Sequence, residues 1–138
     1  MDADNLTPQD ALVAVMIAIA AADESMDDKE LAWITNTVAL LPVFEGFDPQ
    51  RIRPVSSLVA GLFEQEDGLD TLFEIVGDAL PERLHETAYA LACDVAAADG
   101  AVDASELKFL EMLRYDLQVG RLPAAAIERG ARARHQRL

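Results

Sequence analysis

The stretch Ala20–Leu31, AAADESMDDKEL, has a counterpart 76 residues further along the chain at Ala96–Leu107, AAADGAVDASEL. Seven of the twelve positions are identical in the two copies: three Ala, two Asp, one Glu and one Leu. In each copy an apolar helix ends and a second helix opens behind an acidic cap. The sequence therefore predicts one helical hairpin that is used twice.

The apolar residues before each copy follow the period of an α-helix. Four of them recur at three- and four-residue spacing, which predicts a buried helical face. The stripe maps without a gap from the first copy to the second, as Leu12, Val15, Ile19 and Ala22 onto Ala88, Leu91, Val95 and Ala98. The copies cover about residues 8–41 and 84–118.

The remaining elements complete an all-α fold of about seven helices in a single domain, residues 1–138. Helices 1–2 and 5–6 are expected to form two pseudo-symmetric hairpins, bridged by helices 3–4 and followed by a basic C-terminal helix. Thr7 is the expected cap of helix 1, Pro49 or Pro54 opens helix 3, Pro81 opens helix 5 and Pro123 opens helix 7. Gly120 is expected to end helix 6. The inward faces are predicted as Leu31, Ile34, Val38 and Leu41 in helix 2, and Leu107, Leu110, Leu113 and Leu117 in helix 6.

The chain is strongly acidic, with a formal charge of −14 over 138 residues. Residues 121–138 contain five Arg and one Glu, a charge of +4, which leaves −18 on residues 1–120. Such a body repels phosphate backbones, so we expect no nucleic-acid binding, and it attracts cations or a basic protein partner. The basic tail is expected to fray, with docking on the acidic body or on an anionic partner as alternatives.

Composition and the placement of apolar and basic residues also indicate the cellular compartment. Cys93 is the single cysteine and is expected to be a reduced core thiol, so the chain forms no internal disulfide. The apolar run Ala11–Ala22 is too short for a membrane span, which needs about 20 residues. No basic residue precedes Lys29, as a signal peptide would require. We therefore expect a cytoplasmic protein without a membrane span.

The segment Ala97–Leu107 carries a resemblance to a known family. Ala-Ala-Asp-Gly, a small residue, an aliphatic residue, a cap and Glu-Leu opening the next helix resemble the TerB-like (tellurite-resistance) family, with a weaker copy at Ala21–Leu31. The resemblance covers about residues 11–118. It implies a cytoplasmic helical module linked to tellurite resistance and stress responses, suspected of binding metal through these acids and without an established catalytic activity.

The acids of the second copy also match the second half of an EF-hand loop. In that scheme Asp99 is a direct ligand, Asp103 acts through water and Glu106 is bidentate. The first half of the loop is missing, because Val95 and Ala97 stand where acids should be. One half-site is therefore expected to bind calcium or magnesium weakly, with Kd on the order of millimolar.

Two copies that converge would bind a cation better than one. The candidate ligands are Asp99, Asp103 and Glu106, with Asp23, Asp27 and Glu30 as the counterparts in the first copy. Helix capping explains the Asp-x-x-Glu spacing equally well without a metal. It does not explain Asp23 and Asp99, because an acid at the negative end of a helix is unfavourable and favours a nearby cation.

Other patterns give little support to catalysis. The run beginning at His85-Glu86 has Tyr89 where a zinc protease needs a second His, and neither a phosphate-binding glycine loop nor a nucleophile motif occurs. Asp94 is expected at a solvated edge of helix 5, or as an extra ligand. The sequence thus predicts a non-enzymatic, divalent-cation-responsive interaction module. The alternative is a metal-free adaptor whose acidic face docks a basic partner.

Overall fold

A computed structural model of the protein describes residues 5–22, 28–98, 100 and 102–138. Within these residues the chain forms seven α-helices and no strand, as the sequence predicts. In order they are α1 (Pro8–Ala20), α2 (Asp28–Leu40), α3 (Ile52–Phe63), α4 (Gly68–Ala79), α5 (His85–Ala97), α6 (Ala104–Asp116) and α7 (Arg121–Arg134). None of the described helices is long and apolar enough to cross a membrane.

Helix α1 is the centre of the molecule. Every residue from Asp10 to Ala20 is at most 4% exposed. A helix that is apolar on all sides must be surrounded, and α1 packs against α2, α3, α4, α5 and α6. Four of its residues are alanines, whose small side chains let the neighbouring helices approach closely.

Helix α5 forms the second buried layer. Its segment from Ala88 to Ala96 is almost wholly buried between α1 and α7. The basic C-terminal helix α7 is therefore docked on α5 as far as Arg134, and the expectation that it frays is wrong. Helices α3 and α4 pack on each other and on α1.

The helix starts follow the predicted capping chemistry. Thr7 caps α1, and Asp10 completes a reciprocal capping box with it. Asp103 and Glu106 form the same kind of box at the start of α6. Each box satisfies two backbone N–H groups that the helix itself leaves without partners.

Several boundaries differ from the sequence prediction. A short 3₁₀ turn, Pro49–Arg51, precedes α3, and a second one, Glu82–Leu84, precedes α5. Helix α6 ends earlier than expected: Gln118 takes a left-handed φ of 56°, while Gly120 is the N-cap of α7. Pro123 lies inside the first turn of α7, where its missing N–H costs no hydrogen bond.

The inward faces of α2 and α6 are rotated from the predicted ones. Leu31 is 46% exposed, Leu41 39% and Leu107 57%, so their assignment to the core is wrong. The residue before the leucine faces inward in both helices: Glu30 is 2% exposed and Glu106 3%. The true stripes are Glu30, Ile34, Thr37 and Val38 in α2 and Glu106, Phe109, Leu110 and Leu113 in α6.

Candidate metal centre

Three of the six predicted metal ligands belong to the described part of the chain. These are Glu30, Asp103 and Glu106. The predictions for Asp23, Asp27 and Asp99 lie outside the described residues. Asp103 is exposed, whereas the two glutamates are buried.

The structure brings Glu30 and Glu106 together. Each is the third residue of its helix, α2 and α6 respectively, and each belongs to a different copy of the sequence repeat. Their side chains interact in the interior, and this interaction raises the pKa of Glu106. Two carboxyl groups at close range favour one shared proton over two negative charges.

The capping box fixes the position of Glu106. Its Oε1 accepts a hydrogen bond from the Asp103 backbone N–H at 3.2 Å, and its own N–H donates to Asp103 Oδ1 at 2.8 Å. The carboxyl group of Glu106 is therefore oriented by backbone on one side and by Glu30 on the other. The side chain of Glu106 therefore both caps α6 and interacts with Glu30.

The surroundings of Glu106 favour its protonated form. Burial is the largest influence, and the hydrogen bond and negative charge of Glu30 act in the same direction, while the hydrogen bond from Asp103 opposes them. Together they raise the pKa of Glu106 to about 8. At neutral pH the pair consequently holds a proton that a cation could replace.

The described residues alone do not form a complete metal site. No group of three or more His, Cys, Asp or Glu side chains in the ranges given above is arranged to hold a metal ion. Two buried carboxylates are present, where calcium uses six to eight oxygens and magnesium commonly keeps several waters besides one or two carboxylates. Water and backbone oxygens commonly supply the other ligands of such ions.

Asp94 is also buried, so the prediction that it lies at a solvated edge of α5 is wrong. Its side chain is 12% exposed and accepts hydrogen bonds from Arg134 Nη2 and Nε at 2.8 and 3.1 Å. His135 Nε2 lies 3.3 Å from the same Oδ1 oxygen. Asp94 is therefore a docking point for the end of α7. The signal in the sequence was the pairing of one acid on an apolar helix with a basic tail.

The remaining buried acid of the described residues, Asp10, has a structural role. Its two oxygens accept from Arg51 Nε at 2.9 Å and Nη2 at 2.6 Å, which ties α1 to the segment before α3. Burial acts to raise the pKa of Asp10, but hydrogen bonds from Arg51 and Thr7 outweigh it and hold that pKa below its usual value. Asp10 is accordingly ionised, with its hydrogen bonds supplied by Arg51 and Thr7.

A separate groove of about 450 Å³ lies between α5, α6 and α7. Its floor includes Cys93 and Tyr89, and Tyr89 donates a hydrogen bond to Glu128 at 2.7 Å. Burial is the main cause that raises the pKa of Cys93 to about 12. Since the thiolate is the reactive form, Cys93 is not activated as a nucleophile at neutral pH.

Comparison with known proteins adds no assignment. The sequence matches no model of a known protein family, and no curated protein and no solved structure is significantly similar to it.

Proposed function

We propose that this protein is a non-enzymatic interaction module that responds to a divalent cation bound at Glu30 and Glu106. One observation carries the proposal: the buried side chains of two glutamates, one from each copy of the repeat, interact in the interior. A helix pair with only structural needs would place apolar residues at these inward positions. Two acids instead create a site that must hold a proton or a cation.

The chemistry of the pair favours hard cations. Carboxylate oxygens suit calcium, magnesium and manganese, whereas zinc and copper prefer imidazole and thiolate ligands. With two buried carboxylates, magnesium fits as well as calcium, because it retains waters and needs few protein ligands. Asp23, Asp27 and Asp99 are proposed as additional ligands from their positions in the repeat.

The biological setting is part of the proposal and rests on the sequence motifs. The likeness of Ala97–Leu107 to the TerB-like family supports a role in tellurite resistance or another stress response, in the cytoplasm and with a protein partner. The two hairpins would then be related by a pseudo-twofold axis, with the glutamate pair near it. The protein is proposed to act by binding and not by catalysis.

Calorimetric titration of calcium, magnesium and manganese into chelator-stripped protein tests the cation site. The wild type is expected to bind at least one of them saturably, and Glu106→Gln is expected to abolish binding because it removes a ligand charge while keeping the side-chain shape. Glu111→Gln is the matched control, since Glu111 is an exposed glutamate on the same helix. Absence of binding at millimolar metal would refute the site and leave a proton-sharing pair.

One further observation favours the alternative of a metal-free adaptor. The sequence between Arg53 and Arg83 contains no basic residue, and its acids form an exposed ridge on α4 and the turn before it. The ridge consists of Glu66, Asp67, Asp70, Glu74 and Asp78. A basic partner docked there would show salt-sensitive binding that chelators leave unchanged. Reversing Asp70 and Glu74 to Lys would weaken such a partner and leave cation binding intact.

A further inference from the structure

The C-terminal end of α7 is attached to α5. Arg134 and His135 both contact the Asp94 carboxylate, and the His135 side chain is only 11% exposed. A largely buried carboxylate with a guanidinium and an imidazole against it holds both residues in place. The C-terminal segment, residues 134–138, is consequently attached to the body of the protein through its first two residues.

The same segment contacts the helix that carries Glu30. The rings of His135 and Trp33 meet edge to face, with centroids 4.5 Å apart and planes at 64°. Trp33 lies three residues after Glu30 in α2, and residues at this spacing are neighbours on one side of a helix. The C-terminal segment therefore touches α2 one turn from the first carboxylate.

Arg137 extends this contact to the second copy of the repeat. A methyl group added to Gly100 would lie 3.1 Å from both Cζ and Nη2 of Arg137, so the guanidinium packs directly on this glycine. Gly100 has a φ of 87°, which favours glycine, and it lies three residues before Asp103. The positive charge of Arg137 is thus placed on the loop that leads into the Glu106 capping box.

We propose that residues 134–138 form a basic latch that competes with the divalent cation at Glu30 and Glu106. This inference rests on the proposed function and concerns the regulation of the same site. Arg137 repels an incoming cation and supplies part of the compensating charge that the cation would bring. Because linkage between two sites is reciprocal, cation binding loosens the latch to the extent that the latch weakens cation binding.

The test compares cation affinity in the full-length protein when this one charge is removed. Calcium and magnesium are titrated calorimetrically into the wild type, Arg137→Gln, Arg137→Lys and Arg129→Gln at low ionic strength. Arg129→Gln removes the same charge from an exposed position of α7. A unit charge about 10 Å from a divalent ion in a water-like dielectric changes affinity roughly fourfold. We expect a gain of that size for Arg137→Gln, little change for the two controls, and a smaller difference in high salt.

The possible results distinguish a failure of the latch proposal from a failure of the cation-site proposal. No binding by the wild type or any variant refutes the proposed function and the latch together. Equal affinities in the wild type and Arg137→Gln refute the latch and leave the site standing. An equal gain in Arg129→Gln also refutes the latch, since net charge alone would then explain the effect. Tighter binding in Arg137→Gln alone, with a cation-dependent change in the fluorescence of Trp33, supports it.

Discussion

At the level of single residues, Glu106 has two roles that are usually separate. It completes a capping box with Asp103, and it contributes half of a buried acid pair. A capping glutamate is ordinarily at the surface and ionised, because its charge favours the helix N-terminus. Here burial and Glu30 reverse that preference, so the protonation state of one side chain connects helix formation with the chemistry of the site.

The raised pKa of Glu106 predicts how stability depends on pH. The folded pKa, about 8, exceeds that of an unfolded glutamate near 4.5, so the folded state binds the extra proton between these values. The stabilising contribution is complete below the unfolded pKa and is lost as pH rises through the folded one. Without metal, the free energy of unfolding should fall by about 1–3 kcal/mol between pH 5 and pH 8.

Urea unfolding of Glu106→Gln between pH 5 and pH 8 tests whether Glu106 causes this pH dependence. Glutamine imitates the protonated acid, so the variant should match the wild type at pH 5, exceed its stability at pH 8 and show a flatter profile. Glu111→Gln should keep the wild-type profile, because Glu111 is exposed. A wild-type profile that does not decline between pH 5 and pH 8 would contradict a protonated pair.

At the level of elements, the rotation of α6 makes opposite predictions for two leucines. Leu113 is fully buried, whereas Leu107 is 57% exposed. Leu113→Ala should lower the free energy of unfolding by about 3 kcal/mol, from lost burial and the cavity left behind. Leu107→Ala should change it by less than about 0.5 kcal/mol, as surface substitutions do. Chemical denaturation of the two variants measures this, and equal losses would show that the predicted leucine stripe was right.

The helices themselves were predictable, and the rotation of two of them was not. Apolar spacing, caps and prolines gave the seven elements and their approximate ends, because these signals are local. The local pattern predicts that the buried stripes of α2 and α6 begin at Leu31 and Leu107, since a leucine is more often buried than the glutamate before it. The structure buries the glutamates because each has a partner from the other half of the chain, which a local pattern does not contain.

The same limit applies to the candidate site. The similarity of the two sequence segments relates Glu30 to Glu106, and the contact between them depends on how α2 and α6 pack in the folded chain. The docking of α7 depends on Asp94, whose partner Arg134 is 40 residues away in the sequence. In a chain of charge −14 a basic tail could pair with many different acids, so composition alone does not identify Asp94 as its partner.

At the level of the whole molecule, a bound cation should stabilise the fold. For a Kd near 1 mM, cation at 10 mM adds about 1.4 kcal/mol to the free energy of unfolding. That corresponds to a rise in Tm of about 4 °C for a domain of this size. Differential scanning calorimetry at pH 7 with and without metal measures the shift, and Glu106→Gln should abolish it. An unchanged Tm in the wild type at this concentration would count against a cation-linked fold.

The burial of α1 also constrains how the protein is made. This helix is synthesised before α3, α4 and α5, which cover most of it. Until about residue 97 has emerged, the ten apolar residues from Ala11 to Ala20 have no native cover, which is the condition under which nascent chains need chaperones or aggregate. Neither half of the repeat could be expressed alone as a stable unit, because α1 obtains its surroundings from both.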